Sequence, residues 1–410
     1  MNALGTRSLR GRRTAAVGLA ALSLILTGCA GNLTGGDDNP GAHDGTVKQV
    51  DATPKESAAQ VQASIPASAR DIAVNRTVRL DVTAGTFRNV RVVGKDGPLA
   101  GAFSPDRTSW HSTARLQPGE TYRIHSVAVD GEGLTKQFRS HFATDALTLD
   151  EQTYPSFVPV EGSTVGVGMP VIIRFDVAVT DKASIERHLH VSTKPAQPGA
   201  FYWISDHEVH WRPKTYWQPG TQVTVDADVD SVPAGDGVWG QMSRTNHFTI
   251  GRSMISKVNM DTHQMQVFEN GQLIRTIPIT TGEEPKYTTR SGVKVIVEKF
   301  RHKRMNSETI GIDPDSAEGY DLDDVEYAMR ITYSGEFIHA APWSVSSQGN
   351  TNVSHGCTGL STANAGWLYN RSIVGDVVEY TGTQRDMTLT NGFGDWNLSF
   401  ADYREGSALH

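Results

Sequence analysis

A ten-residue pattern occurs twice in this chain, offset by 101 residues. Trp110-His-Ser-Thr-Ala-Arg-Leu-Gln117-Pro118-Gly119 aligns with Trp211-Arg-Pro-Lys-Thr-Tyr-Trp-Gln218-Pro219-Gly220. After each Pro-Gly turn the chain alternates apolar and polar residues. The apolar positions are Tyr122, Ile124, Val127 and Val129 in the first copy, and Val223, Val225, Ala227 and Val229 in the second. Alternation with period two marks a strand that buries one face. Each copy then closes on an aromatic-rich strand, around Phe138–Phe142 and His247–Ile250. A repeat at this period forbids one large core and requires two similar all-β units in series.

A unit of about 100 residues made of short alternating strands is the size of an immunoglobulin-like sandwich. The expected modules span 48–147 and 148–250. They either bind wall polymer or a partner, or act as rigid spacers. The spacer role fits better, because neither shows a cluster of reactive groups along the chain. His188, His190, His207 and His210 raise a metal site. In a strand, however, 207 and 210 point to opposite faces, and no acidic or cysteine ligand stands in suitable spacing. No metal is expected.

Arg7, Arg10, Arg12 and Arg13 precede an apolar run, Ala15 to Leu26, that is too short to span a bilayer. The run ends in Leu26-Thr27-Gly28-Cys29, which resembles the lipobox of bacterial lipoproteins. That resemblance implies a signal peptide over 1–28 and acylation of Cys29, with the chain lipid-anchored at the outer face of the plasma membrane. The alternative is an ordinary signal peptide with an incidental cysteine. Residues 29–47, rich in Gly, Asp and Asn, read as a flexible tether. Losing 1–28 removes four arginines and no acid, so the net charge moves from −7 to −7 − 4 = −11. No basic run remains, which argues against nucleic acid as a partner.

From Ser253 the texture shifts to short strands: Ile255–Asn259, Met265–Glu269, Leu273–Thr280, Gly292–Lys299 and Glu336–Ala340. Asn270-Gly271 forms a two-residue hairpin turn. Arg301–Tyr327 is long, polar and rich in Gly, Pro and Asp, and reads as a loop. Ser361 is an N-cap for a helix over Thr362–Ser372, with Trp367 and Leu368 able to face the core. A last strand follows at Asp376–Tyr380.

Cys357 is one of only two cysteines in 410 residues. Lipid on Cys29 would leave it without a disulfide partner in an oxidising compartment. His355 and His339 lie close upstream, and a thiol needs such an imidazole, or clustered N–H groups, to react as thiolate. Gly356 lets a substrate carbonyl approach the backbone, where N–H groups can hold an oxyanion. The bland alternatives are a small buried cysteine and a metal held by Cys357 with the two histidines. For the second, no carboxylate accompanies them.

The series His339, fourteen residues, then Ser354-His355-Gly356-Cys357 resembles the L,D-transpeptidases of bacterial cell-wall synthesis. Thr281-Gly282, the threonine-rich loop after it, and Ser291-Gly292 fit the same pattern. Two immunoglobulin-like modules and the tail Gly394-Asp395-Trp396-Asn397 resemble the mycobacterial type. The resemblance implies a mainly β chain: two tandem sandwiches, then a β-rich catalytic domain with a short helix over 251–382. A C-terminal tail over 383–410 would pack back on the preceding domains.

The implied activity forms 3–3 cross-links between peptidoglycan tetrapeptide stems through a cysteine thioester, without a cofactor. Cys357 would be the nucleophile and His339 the general base, with the Ala340 carbonyl orienting its ring. Backbone N–H groups of His355, Gly356 and Cys357 would form the oxyanion hole, helped by Tyr320. The family makes Arg301–Tyr327 a lid, with Met305, Tyr320, Trp343, Ser354 and Asn352 binding substrate. Carbapenems are the implied covalent inhibitors, and a monomer is expected. The chain departs from the family pattern at Gly359, commonly Asn, and at Ile310, where a lid tyrosine is frequent. An L,D-carboxypeptidase using water on the same stems, or a non-catalytic wall-anchoring lipoprotein, remain open.

Overall fold

The computed structural model describes residues 55–409. The signal segment, the tether, Cys29 and the first residues of the first module lie outside the described residues.

The first module packs two four-stranded sheets face to face. One orders Gln60–Ala63, Arg79–Thr83, Ser109–Ser112 and Gly101–Phe103; the other orders Gly97–Pro98, Thr86–Gly94, Thr121–Val129 and Thr135–Ala143. Tyr122 and Ile124 face inward, as their alternation requires, but the inward positions continue at Ser126 and Ala128. Val127 and Val129 therefore point outward, a correction to the alternation read above. In the second module Val223, Val225, Ala227 and Val229 are all buried.

The sequence repeat has a physical cause. Trp110 lies over Gly101, where an added Cβ would sit 2.0 Å from the indole; Trp211 lies over Gly199, where it would sit 2.1 Å away. Each tryptophan fills its module's core against a neighbouring strand that must lack a side chain at that point. Gly119 and Gly220 both take positive φ in the turns that follow.

The third part holds two sheets. One orders Gln272–Pro278, Gln264–Glu269, Met254–Asn259, Val377–Thr381 and Gly292–Val295; the other orders Glu298–Asn306, Asp321–Arg330, Phe337–Ala340 and Thr358–Leu360. Asn270 and Gly271 both have positive φ, the geometry of a tight hairpin turn. Ser361 Oγ accepts the Asn364 N–H and caps the helix Thr362–Arg371, which buries Leu368.

The expected loop at Arg301–Tyr327 is mostly a hairpin. Its strands pair over Glu298–Asn306 and Asp321–Arg330. Cross-strand ion pairs, Arg301 with Glu326 and Arg304 with Asp321, occupy the polar side, while Met305, Val325 and Ala328 are buried. A polar composition hid a strand pair because its charges neutralise across the pairing rather than along the chain.

The second module and the third part share one core. Val295, Val377 and Phe393 cluster with Val165, Met169 and Trp217, and the Gly166 N–H donates to the Val374 carbonyl at 2.8 Å. The tail locks this seam. Trp396 Nε1–H donates to the Gly168 carbonyl at 2.7 Å, and the buried His210 lies between Glu208 and Asp395 at 2.9 and 2.8 Å. His210, one of the four histidines weighed as metal ligands, thus has two acidic partners, one of them distant in sequence. His188 and His207 each bond a backbone carbonyl instead.

Candidate active site

His339 and Cys357 are brought together by a parallel strand pair. Ile338 aligns with Thr358 and His339 with Gly359, so Cys357, one residue before its strand, shares a face with His339. Both side chains line a cavity of about 360 Å³ together with Met305, Tyr320, Trp343, Ser354 and His355.

His339 is buried, and its Nδ1 lies 2.8 Å from the Ala340 carbonyl. A carbonyl only accepts, so Nδ1 carries the proton and Nε2 keeps its lone pair. Burial holds the ring's pKa below its ordinary value, so the imidazole is neutral. Trp343, exposed over most of its surface, stacks against it at 5.9 Å.

The thiol does not point at that ring. Cys357 Sγ–H donates to the Gly335 carbonyl at 3.6 Å. Burial pushes the thiol up to about 11, reinforced by Glu336 and opposed by the Phe337 N–H, Lys294 and Arg330. The resting pair is a thiol and a neutral imidazole, the state from which a general base at His339 would have to take the proton. In a desolvated site two neutral groups cost less than an ion pair.

The turn Ser354–Cys357 is tightly tied. Ser354 Oγ donates to the Cys357 carbonyl at 2.6 Å and accepts the Gly356 N–H at 3.1 Å. Gly356, at φ +125°, takes a conformation that a side chain would resist. Its N–H is therefore committed to Ser354 and not to an oxyanion, correcting the expectation for Gly356. The N–H groups of His355 and Cys357 meet no acceptor among the described residues. The His355 ring packs against Tyr287 at 4.3 Å and Tyr320 at 5.1 Å.

Asn352 does not line the cavity, a second correction. Its Oδ1 accepts the Thr281 N–H and lies 3.0 Å from His263 Nδ1, while its Nδ2 donates to the Met260 carbonyl. This braces the floor of the site. Gly359 lines the cavity, and a Cβ there would sit 2.9 Å from Thr280 Cγ2, so Thr280 occupies the space of the missing side chain. Ile310 packs its Cγ2 over Gly335, the residue whose carbonyl holds the thiol.

Sequence reasoning missed a buried charge cluster behind the cysteine. Lys294 Nζ donates to Glu336 Oε2 at 2.5 Å and lies 3.8 Å over the Tyr380 ring. Arg290 binds Glu336 Oε1 at 2.8 Å. Burial lowers Lys294 to about 8. Glu336 directly follows Gly335, the residue whose carbonyl accepts from Sγ–H. Lys294 sits in an otherwise apolar strand, Val293-Lys294-Val295, which was the available signal. The lid has a latch as well: Glu318 binds Lys286 Nζ and accepts the Tyr287 hydroxyl at 2.6 Å.

Residues 253–379 match the family model described as the L,D-transpeptidase catalytic domain, and 69–233 match one described as a bacterial Ig domain. The chain is 35% identical over 352 residues to L,D-transpeptidase 2 of Mycobacterium tuberculosis, covering 85% of each chain. It is 35% identical over 350 residues to L,D-transpeptidase 5 of the same organism, covering 83% of this chain and 75% of the relative. A solved L,D-transpeptidase in complex with imipenem is 38% identical over 55% of this chain and 97% of its own, with a TM-score of 0.49.

Proposed function

This chain belongs to the L,D-transpeptidase family, and on that premise we propose that it forms 3–3 cross-links between peptidoglycan stems through a thioester on Cys357. The observation that carries this reading is the His339 tautomer. Nδ1–H is spent on the Ala340 carbonyl, and Nε2 is left as a base in the cavity that holds Sγ.

The first step starts with rotation of the thiol from Gly335 towards Nε2. Nε2 takes the thiol proton while Sγ bonds to the carbonyl carbon of the third residue of a tetrapeptide stem. The N–H groups of His355 and Cys357 hold the resulting oxyanion. When the intermediate collapses, the C–N bond to D-alanine breaks, and the leaving amine takes the proton from Nε2. A thioester remains. The side-chain amine of a second stem then attacks it and gives its proton to Nε2. Sγ leaves and recovers that proton.

Carbapenems offer the same thiol a strained amide carbonyl and would stop at the acyl-enzyme. Met305, Tyr320, Trp343 and Ser354 form the donor pocket in this reading, and Tyr320 approaches the oxyanion from the lid. Acylation of Cys29, motivated by Leu26-Thr-Gly-Cys29, would hold the enzyme as a monomer at the outer face of the membrane, with the two modules as spacers.

Intact-mass analysis of wild type and Cys357→Ala, incubated with one tetrapeptide and separately with imipenem, tests the proposal. Wild type gains an acyl mass and yields a cross-linked dimer, and the variant does neither. A shortened monomer alone would make the enzyme a carboxypeptidase. No mass gain in wild type would leave a binding protein.

A further inference from the structure

The first module carries a basic surface that the linear sequence conceals. On the sheet containing Thr86–Gly94, Thr121–Val129 and Thr135–Ala143, Phe87, Val92, Tyr122, Ile124 and Phe142 face the core. The opposite face collects basic side chains. Arg123 stands directly across from His141, and His125 across from Arg139. On its other side His125 faces Arg91. Five basic side chains thus meet on three adjacent strands, with Arg91, Arg123, Arg139 and His141 exposed and His125 half-buried. A shallow groove of about 360 Å³ runs between the strands carrying Arg123, His125, Arg139 and His141.

The module's ion pairs lie elsewhere, at Lys55–Glu132, Arg79–Asp81 and Arg115–Asp228. Among the described residues, the one polar side-chain contact of Arg139 is Gln137 Oε1 at 3.5 Å. The concentration of basic side chains is not a by-product of overall composition, because the chain carries a net −7. Three arginines gathered on one face with no acidic ion-pair partner among the described residues fit an external polyanion. Along a strand the basic side chains repeat every ~7 Å, and across strands every ~5 Å, a grid suited to regularly spaced anionic groups.

The rest of the face narrows the ligand. Its other outward positions include Asn89, Val93, Val127 and Gln137, with no aromatic ring on which a base could stack. None of the exposed large apolar side chains of the described residues lies in this module, so nothing there would insert into a bilayer.

We propose that the Arg91–Arg123–His125–Arg139–His141 face binds a linear acidic polymer through its phosphodiester or carboxylate groups, independently of the cavity at Cys357. The first module is then a docking surface as well as a spacer.

The test uses the full chain and Arg91→Gln/Arg123→Gln/Arg139→Gln, whose exposed positions leave the core untouched; a thermal melt checks that. Binding is measured at about 50 mM salt to long-chain polyphosphate, poly-L-glutamate, phosphatidylglycerol vesicles and oligodeoxythymidine. Wild type is expected to bind polyphosphate or polyglutamate, and the triple variant to lose about tenfold or more in affinity. Comparing the two polymers identifies the anion, and imipenem acylation stays equal in both proteins. Absence of polymer binding, or equal binding by the triple variant, overturns the proposal. So does a preference for vesicles or for the oligonucleotide.

Discussion

The thiol of Cys357 is held by Gly335, not by His339: Sγ–H donates to the Gly335 carbonyl at 3.6 Å while the imidazole keeps Nε2 free in the same cavity. The nucleophile is therefore stored protonated next to its base. Reactivity requires a side-chain rotation and a proton transfer, both completed when a carbonyl is in position.

This storage separates the pH profiles of two reagents. A small alkylating agent needs the free thiolate, so its rate on the resting enzyme rises with pH towards about 11. Imipenem acylation uses neutral His339 as base. Because the ring's pKa is lowered from its ordinary ~6.5, acylation holds its rate from neutral to mildly acidic pH and falls only below that. His339→Gln should slow acylation about 10²-fold or more and leave alkylation nearly unchanged. Stopped-flow acylation and timed mass spectrometry read both, and parallel pH profiles would count against the stored-thiol arrangement.

The charges behind the cysteine act on it with opposite signs. Glu336 raises the thiol pKa, and Lys294 lowers it. Lys294→Met should move the alkylation profile to higher pH, and Glu336→Gln to lower pH, each on the order of one unit or less. Glu336→Gln also strands Lys294 in the interior, at a cost of about 3 kcal/mol, visible as a lowered denaturation midpoint. Identical profiles in all three proteins would mean that the cluster only supports the fold.

The lid latch joins Glu318 to Lys286 and Tyr287 across the mouth of the site. Lys286 and Glu318 are exposed, so breaking the latch leaves stability nearly unchanged. Glu318→Gln is expected to raise KM for the tetrapeptide roughly two- to fivefold with little change in kcat, through a less ordered lid. A selective fall in kcat would assign Glu318 to the chemistry instead.

His210 gives the tail seam a pH window. Two carboxylates outweigh the desolvation that burial imposes and raise its pKa to about 9. A raised pKa contributes stability that is complete below the unfolded value of ~6.5 and lost as pH rises through about 9. Glu208, lowered to about 2 although burial opposes it, contributes above ~4.5 and is lost as pH falls through about 2. The seam is then firmest between these limits. Melting temperature measured from pH 5 to 10 should fall at the alkaline end, and this alkaline fall should be smaller in His210→Gln.

Much of this was legible along the chain. The repeated Trp-to-Gly stretch and the alternation after it implied two sandwiches, and in each core the repeated tryptophan lies over a bare backbone glycine of a neighbouring strand. Ser354-His355-Gly356-Cys357 after His339 announced the chemistry because nucleophile, base and tight turn sit within one strand pair. Short-range patterns carry such information: periodicity, turns and neighbouring reactive groups are properties of contiguous residues. What depended on contacts between distant residues was decided only in three dimensions. Strand register put Ser126 rather than Val127 in the core, cross-strand pairing turned a polar stretch into a hairpin, and the same pairing gathered dispersed bases on one face. The resting partner of Cys357, the burial of Lys294 with Glu336, and the union of His210 with Asp395 across 185 residues have the same origin. Desolvation and charge pairing depend on distance in space, which separation along the chain does not encode.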